Sequence, residues 1–187
     1  MPVNVELFNV WICGSMGRHG AVTIRGGQRI LLDGKNGSGK SSLLKLLLQE
    51  PIAHMGTVTT GAGLVISYVP QDASYLTGTL SEFAERNKLN ESLFKAVLRK
   101  MDLQRVQFEK DMKDFSEGQK KKVLLAKSLC EPAHLYVWDE PFNYMDVYSR
   151  MQIEQLIVKF SPAMVLVEHD LAFRNAVAPQ IVQIEKR

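Results

Sequence analysis

Short apolar runs alternate along the chain with longer amphipathic or polar stretches. The runs with the length and composition of strands are 3–12, 22–24, 30–32, 64–69, 135–138, 163–168 and 181–184. Between them, stretches such as 42–49 are spaced and composed like helices that pack against a core. Strands that alternate with helices are typical of α/β folds. The pattern therefore predicts an α/β fold with a mostly parallel core sheet.

The strand pattern stops between Tyr75 and Asp114. In this part, residues 80–86 and 91–101 are polar and charged, and they predict helices. A chain of 187 residues with 45% hydrophobic content is long enough for one well-packed domain and too short for a second full one. We therefore predict a single domain over residues 1–187, with a helical subdomain inserted at about 75–115.

The composition narrows the class of protein. No segment approaches the roughly 20 apolar residues that span a bilayer, and we expect a soluble, cytoplasmic protein without a membrane segment of its own. The cysteines, Cys13 and Cys130, are far apart and outside any Cys/His cluster, which argues against a disulfide framework and a zinc site. A net charge of +3 is too small to indicate nucleic-acid binding by itself.

Residues 34–41 read GKNGSGKS, a complete phosphate-loop motif. A glycine-rich turn without a ligand is the alternative, but an apolar run before the motif and a leucine-rich stretch after it provide the expected strand and helix. Backbone N–H groups of such a loop bind phosphate, Lys40 would reach the β- and γ-phosphates, and Ser41 would bind Mg²⁺. The predicted nucleotide-binding residues are Gly34, Asn36, Gly37, Ser38, Gly39, Lys40, Ser41 and Ser42.

Two acidic residues follow the apolar run 135–138. Enzymes that transfer phosphoryl groups mainly position reactants and neutralise charge. Asp139 would hold Mg²⁺, and Glu140 would orient or deprotonate an attacking water. The alternative is a strand that ends in solvated carboxylates, and the phosphate loop upstream argues against it.

Three further features follow in order: Gln71 after the run 64–69, the sequence FSEGQ at 115–119, and His169 after the run 163–168. With the phosphate loop and the Asp-Glu pair, this order resembles the ATP-binding cassette (ABC) family over almost the whole chain. The resemblance implies a phosphate-loop NTPase of ABC type, with N-terminal antiparallel strands beside the parallel sheet. It also implies ATP and Mg²⁺ as cofactors.

The resemblance assigns roles to these residues. Gln71 would contact Mg²⁺ and the attacking water, and His169 would contact the γ-phosphate. The signature loop, residues 116–119, would bind the γ-phosphate held by another cassette; its members are Ser116, Glu117, Gly118 and Gln119. The common form of this loop is LSGGQ, so Glu117 adds a negative charge beside a phosphate-binding loop. Outside the family context, each of these residues has an ordinary structural interpretation, such as a helix cap at Ser116.

Other positions are less determined. ABC domains stack the adenine on an aromatic residue upstream of the phosphate loop; Trp11 is our candidate, Phe8 is an alternative, and core packing of Trp11 is equally compatible. Asp33 departs from the family, which commonly has an apolar or small residue there. We interpret the lysine run 120–122 as a solvated helix face, with contact to a phosphate-rich surface as the alternative.

The sequence after the Asp-Glu pair separates subfamilies. Asn143 and Asp146 match the DEPxNxxD pattern of ABC-F proteins, which are ATPases that act on ribosomes, whereas transporter subunits tend to carry DEPTSALD. The chain resembles the second cassette of ABC-F proteins that protect ribosomes from lincosamides, streptogramin A and pleuromutilins. The resemblance implies two partners, the ribosome and a second cassette, either the missing half of the same polypeptide or another copy. Alternatives are a transporter subunit and an ATP-binding module that is inactive alone.

Overall fold

The computed structural model describes residues 4–12, 22–177 and 180–184, and only the backbone at residues 4–12 and 22. Its elements, in chain order, are β1 (Asn4–Ile12), β2 (Val22–Arg25), β3 (Arg29–Asp33), α1 (Lys40–Leu47), β4 (His54–Thr60), β5 (Ile66–Val69), α2 (Leu80–Arg86), α3 (Glu91–Lys100), α4 (Glu117–Cys130), β6 (Leu135–Asp139), α5 (Val147–Phe160), β7 (Met164–Val167), α6 (Leu171–Val177) and β8 (Gln180–Gln183). Short 3-10 turns at Arg105–Glu109 and Met112–Asp114 lie between α3 and α4. None of these helices has the length and apolar composition needed to cross a bilayer.

The core sheet has five parallel strands in the order β5-β6-β7-β3-β8. Both faces of the central strands β3, β6 and β7 are buried, which explains why these strands are continuous apolar runs rather than alternating ones. The pairing sets Asp139 opposite Val167 and Leu31 opposite Leu166, so the carboxyl ends of β6, β7 and β3 meet at one edge. The prediction of a mostly parallel core sheet is confirmed.

A second sheet has three antiparallel strands in the order β2-β1-β4, which confirms the N-terminal antiparallel strands that the family resemblance implies. The sequence analysis missed β4. Its sequence, HMGTVTT, contains a glycine and few large apolar residues, and most of its side chains are exposed. Long-range pairing with β1 therefore defines β4, because its own residues carry no buried alternation.

The side chains of the core sheet divide between two apolar clusters. Leu31 packs in a cluster with the helices that precede and follow the signature loop, whereas its neighbours Ile30 and Leu32 pack with the leucines of α1. Trp138 and Val137 divide in the same way. Successive residues of a strand point to opposite faces, so helices cover the sheet on both sides.

Helices occupy the part of the chain where the strand pattern stops. A capping box at Thr79 and Glu82 starts α2, and Asn90 caps α3. The two helices meet through Phe83 and Phe94, whose ring centroids are 5.9 Å apart. The boundaries of a helical subdomain at about 75–115 stay a prediction.

Candidate nucleotide-binding site

The phosphate loop joins β3 to α1 at the edge where the carboxyl ends of the parallel strands meet. Gly37 and Gly39 have φ angles of 75° and 103°, which side chains other than glycine rarely allow. Gly34 is required for a different reason: a Cβ atom there would overlap the carbonyl oxygen of Ile184 and approach Ser38 Oγ to 2.7 Å. Glycines therefore shape the loop through both backbone conformation and close packing.

The Lys40 side chain turns back over the loop and is 7% exposed. Its Nζ donates hydrogen bonds to the carbonyl oxygens of Gly34 at 2.8 Å and Lys35 at 3.1 Å. The ammonium therefore lies where the loop would surround a phosphate. An open cleft of about 710 Å³ begins here; it is lined by Asn36, Gly37, Gly39, Lys40, Ser41, Ser42, Gln71, Glu140, Asn143 and His169.

Asp139, at the end of β6, is 4% exposed, and the hydroxyl of Ser41 favours its charged form. Burial, followed by the charge of Glu140, raises the pKa of Asp139, although Lys121, Ser41 and Lys40 oppose the shift. A cation beside Asp139 would offset the repulsion between its carboxylate and that of Glu140. The described residues contain no cluster of three or more His, Cys, Asp or Glu side chains that could hold a metal. One carboxylate and one hydroxyl fit Mg²⁺, which takes few protein ligands and completes its shell with phosphate and water.

Glu140 follows Asp139 and has a φ of 48°, a left-handed conformation that costs energy for a residue with a side chain. Its backbone N–H donates to Val167 O at 2.9 Å, which extends the contact between β6 and β7. Its Oε2 accepts hydrogen bonds from Gln71 Nε2 at 2.9 Å and Asn143 Nδ2 at 2.7 Å. His169 Nε2 lies 3.4 Å from Oε1. The structure thus brings together residues from three separate segments, those that follow β5, β6 and β7.

Buried aromatic residues support the segment that carries Glu140. Trp138 and Phe142 pack edge to face, as do Phe142 and Phe173, whose ring centroids are 4.5 Å apart. Trp138 Nε1 donates to Ser128 Oγ at 2.9 Å, so its polar group is satisfied within the core. These contacts fix the backbone on both sides of Glu140.

Sequence reasoning missed Glu168, which immediately precedes His169. It is 4% exposed, and its Oε1 accepts hydrogen bonds from the backbone N–H groups of His169 at 2.8 Å and Asp170 at 3.3 Å. Asp170 in turn caps α6 and forms an ion pair with Arg150. Glu168 therefore shapes the turn that presents His169. Only the charge of this residue at the end of an apolar run could have indicated its role.

The structure accounts for Asp33. Its Oδ2 accepts hydrogen bonds from Arg174 Nη2 at 2.7 Å and Gln183 Nε2 at 2.9 Å, and its Oδ1 accepts one from Gly34 N at 3.0 Å. Burial opposes ionisation, but the hydrogen bonds from Arg174 and Gln183 outweigh it and hold the pKa of Asp33 below its ordinary value. Asp33 thus connects the start of the phosphate loop to α6 and β8.

The signature loop begins α4 with a capping box: Ser116 Oγ accepts from Gln119 N, and Gln119 Oε1 accepts from Ser116 N at 2.9 Å. Gly118 lies against the carbonyl oxygen of Tyr144, and a Cβ atom would overlap it. Glu117 is exposed, and Lys120 Nζ lies 3.6 Å from its carboxylate. Within the part of the chain that the structure describes, no residue of the signature loop lines the phosphate-loop cleft. Binding of these residues to another cassette's nucleotide stays a prediction.

The prediction that Lys120, Lys121 and Lys122 form a solvated helix face is wrong, because their exposed fractions are 7%, 2% and 8%. Helix α4 is covered by its neighbours, and these side chains reach internal partners. Lys121 Nζ donates to Pro70 O at 2.7 Å, and Lys122 Nζ lies 2.7 Å from Asp146 Oδ2. Their burial also excludes the alternative of a phosphate-binding surface.

Asp146 caps α5 through a hydrogen bond from Ser149 N to its Oδ1, at 2.8 Å. Burial works against its charge, but the hydrogen bonds from Lys122 and Ser149 lower the pKa of Asp146 to about 2. The segment from Asn143 to Asp146 is therefore anchored at both ends, at Glu140 by Asn143 and at α4 by Asp146.

The predicted adenine contact lies outside the described side chains. The backbone of Trp11 pairs with Met55, and that of Phe8 pairs with Thr57, both on β4. The stacking of adenine on either aromatic residue stays a prediction.

A parallel sheet, a phosphate loop and an Asp-Glu pair at its carboxyl edge define the chain as a phosphate-loop nucleotide-binding domain. The family model described as ABC transporter matches residues 18–143. The chain therefore belongs to the ABC family of ATP-binding domains, and the resemblance found in the sequence is confirmed at this level.

Individual relatives come from several branches of this family. The chain is 32% identical to ATP-binding protein Uup of Buchnera aphidicola subsp. Schizaphis graminum (strain Sg), over 80% of the chain and 27% of the relative. It is 31% identical to ribosome protection protein VmlR of Bacillus subtilis (strain 168), over 81% of the chain and 28% of the relative. It is 28% identical to the zinc import ATP-binding protein ZnuC of Ehrlichia ruminantium (strain Gardel), over 87% of the chain and 71% of the relative.

Among solved structures, the fold is similar to that of archaeal ribosome recycling factor aABCE1 in its complex with ribosomal stalk protein aP1. The TM-score is 0.74 with 26% identity, over 90% of this chain and 34% of that one. The chain thus spans little more than a quarter of the Uup and VmlR relatives and about a third of this structural neighbour.

Proposed function

We propose that this chain is an ATP-hydrolysing cassette of ABC-F type. It would act within a ribosome-protection factor that confers resistance to lincosamide, streptogramin A and pleuromutilin antibiotics. The observation that carries the proposal is the position of Glu140, which is held by Gln71 and Asn143 beside His169 at the mouth of the phosphate-loop cleft.

For hydrolysis, Lys40 and the loop N–H groups would bind the phosphates of ATP. Glu140 would accept a proton from the attacking water, and the two amides that donate to its Oε2 orient the carboxylate. His169, which lies beside Oε1 of Glu140, would contact the γ-phosphate. Ser41, Asp139 and Gln71 are the residues that would hold Mg²⁺, which would neutralise phosphate charge.

The ABC-F assignment is supported by Asn143. This residue belongs to the DEPxNxxD pattern, and its amide contacts the carboxylate proposed to activate water. The names of two similar proteins, a ribosome protection protein and a ribosome recycling factor, are consistent with work on ribosomes. We propose the ribosome as partner on this basis.

We also propose a second cassette as partner. The signature loop does not line the cleft of its own chain, within the part that the structure describes. A complete site would then combine the phosphate loop of one cassette with the signature loop of another. The partner is either another part of the same polypeptide or a second copy.

The test is the association of Glu140→Gln with ribosomes in the full-length protein that contains this chain. Loss of the general base should leave ATP bound and unhydrolysed, so E140Q should co-sediment with ribosomes when ATP is present. The matched control adds Lys40→Ala, which removes the phosphate-binding ammonium and should abolish the association. If E140Q does not associate with ribosomes in an ATP-dependent way, the proposed function is contradicted.

A second candidate function is the nucleotide-binding subunit of a membrane transporter. It is favoured by the similarity to ZnuC, and by a groove of about 260 Å³ beside the predicted helical insertion. The groove is lined by Tyr68, Tyr75, Leu76, Thr77, Phe83, Arg86, Asn87, Leu124 and Lys127. The test is copurification of the chain with a membrane protein. If a membrane protein copurifies with the wild type and is lost when Tyr75→Ala and Arg86→Ala are introduced, this function is favoured over ribosome protection.

A further inference from the structure

Lys121 is one of the most deeply buried side chains of the protein, although it carries a charged group. It is 2% exposed and lies on α4, directly after the signature loop. Its Nζ donates a hydrogen bond of 2.7 Å to the carbonyl oxygen of Pro70, which precedes Gln71. Lys121 therefore extends from the helix of the signature loop to the segment that carries Gln71.

A buried ammonium needs more than one neutral acceptor to offset the loss of water. Four carboxylates provide the compensation: Asp72, Asp139, Glu140 and Glu168 all favour the charged form of this lysine. Burial lowers the pKa of Lys121, and the charges of these carboxylates oppose this shift in part. Glu168 Oε2 is buried without a hydrogen-bond partner, and Glu168 is one of the carboxylates whose charge interacts with Lys121.

The two neighbouring lysines do not share this position. Lys120 lies near Glu117 on its own helix, and Lys122 pairs with Asp146. Of the three, Lys121 alone donates to the segment before Gln71, among the residues that the structure describes. Gln71 directly follows Pro70 in the chain, and its side-chain amide donates a hydrogen bond to Glu140.

We infer that Lys121 is a positioning residue for ATP hydrolysis: it fixes the segment at Pro70 so that Gln71 orients Glu140, and it balances the carboxylates around them. The inference rests on the proposed ATPase function. Lys121 would thereby connect two sites. The helix on which it lies begins with the signature loop, which would bind a partner's nucleotide, and the segment that it contacts orients the water-activating Glu140 of this chain's own site.

The experiment compares K121M, K121R and the exposed control K110M in the full-length protein. Turnover, KM for ATP, the Kd of a fluorescent ATP analogue and the melting temperature are measured for each. K121M should lower kcat by about tenfold to a hundredfold, because small displacements of catalytic groups cost that much. Its analogue Kd should stay within about threefold of the wild type, since the phosphate loop is intact. K121R, which keeps the charge and a donor, should retain about a third of kcat or more, and K110M should match the wild type.

A wild-type kcat in K121M overturns the inference. So does a loss of nucleotide affinity in parallel with kcat, because positioning of Glu140 predicts a change in kcat alone. If K121M fails to fold, K121R decides: substantial turnover supports the inference, and an inactive K121R with an unchanged melting temperature overturns it.

The double variant K121M/E168Q tests the charge balance, because it removes one negative charge together with the lysine. If Lys121 balances the carboxylates, the double variant should recover part of the melting temperature lost in K121M; no recovery contradicts that part of the inference. A wild-type protein without turnover contradicts the proposed function itself, which is a separate result.

Discussion

Asn143 Nδ2 donates a hydrogen bond of 2.7 Å to Oε2 of Glu140, the same oxygen that accepts from Gln71. The residue that distinguishes the DEPxNxxD pattern therefore contacts the carboxylate that we propose as the general base. A serine, found at this position in the DEPTSALD pattern of transporter subunits, is too short to make the same contact.

We expect Asn143→Ser to lower kcat for ATP by about tenfold, because it removes one of the two amides that orient Glu140. The affinity for ATP should stay within about twofold, since Asn143 does not belong to the phosphate loop. Steady-state phosphate release and analogue binding measure the two effects. Gln155→Ser on the exposed face of α5 is the control, and an unchanged kcat in N143S would show that the hydrogen bond is not needed.

The contact between Gly118 and Tyr144 predicts the effect of a small substitution. Alanine is normally favourable within a helix, but a Cβ at Gly118 would overlap the Tyr144 carbonyl oxygen. Gly118→Ala should therefore destabilise the protein by about 1–3 kcal/mol. Urea unfolding measures the loss, with Glu117→Ala in the same helical turn as the control. Equal stabilities of the two variants would contradict the contact.

The ion pair between Asp146 and Lys122 predicts a dependence of stability on pH. The folded pKa of Asp146, about 2, lies below its ordinary value of 3.8, so its contribution is complete above 3.8 and disappears as the pH falls towards 2. The side chain of Asp146 is 46% exposed, and solvent screening reduces the expected contribution to about 1 kcal/mol. Asp146→Asn, which keeps capping capacity, should be less stable than the wild type at pH 7 and should approach it near pH 2.5. Asp114→Asn is the control, and a gap that stays constant with pH would argue against the ion pair.

The absence of signature-loop residues from the described lining of the cleft predicts how activity depends on concentration. If two copies of this chain form a site, phosphate release should rise more than linearly with protein concentration, because the active species is a dimer. ATP binding to the phosphate loop should not require the dimer. Release that is linear in concentration would contradict the shared site, and binding without release at any concentration would indicate a module that needs another cassette.

Sequence reasoning identified local features well because their signals are local. The phosphate loop is contiguous, its glycines all lie within residues 34–39, and parallel strands buried on both faces are continuous apolar runs. It failed where neighbours from distant segments decide the environment. Strand β4 depends on pairing with β1, and the lysines of α4 look like a solvated face until the surrounding elements are known.

The sequence by itself determined that this is a phosphate-loop domain with an Asp-Glu pair and the ordered motifs of the ABC family, because each motif is short and carries its own chemistry. Only the tertiary structure decided how those motifs meet. Hydrogen bonds depend on distances of about 3 Å between segments that are far apart in the chain. The contacts of Glu140 with Gln71, Asn143 and His169, and the burial of Lys121 beneath them, come from the packing of the sheet and helices.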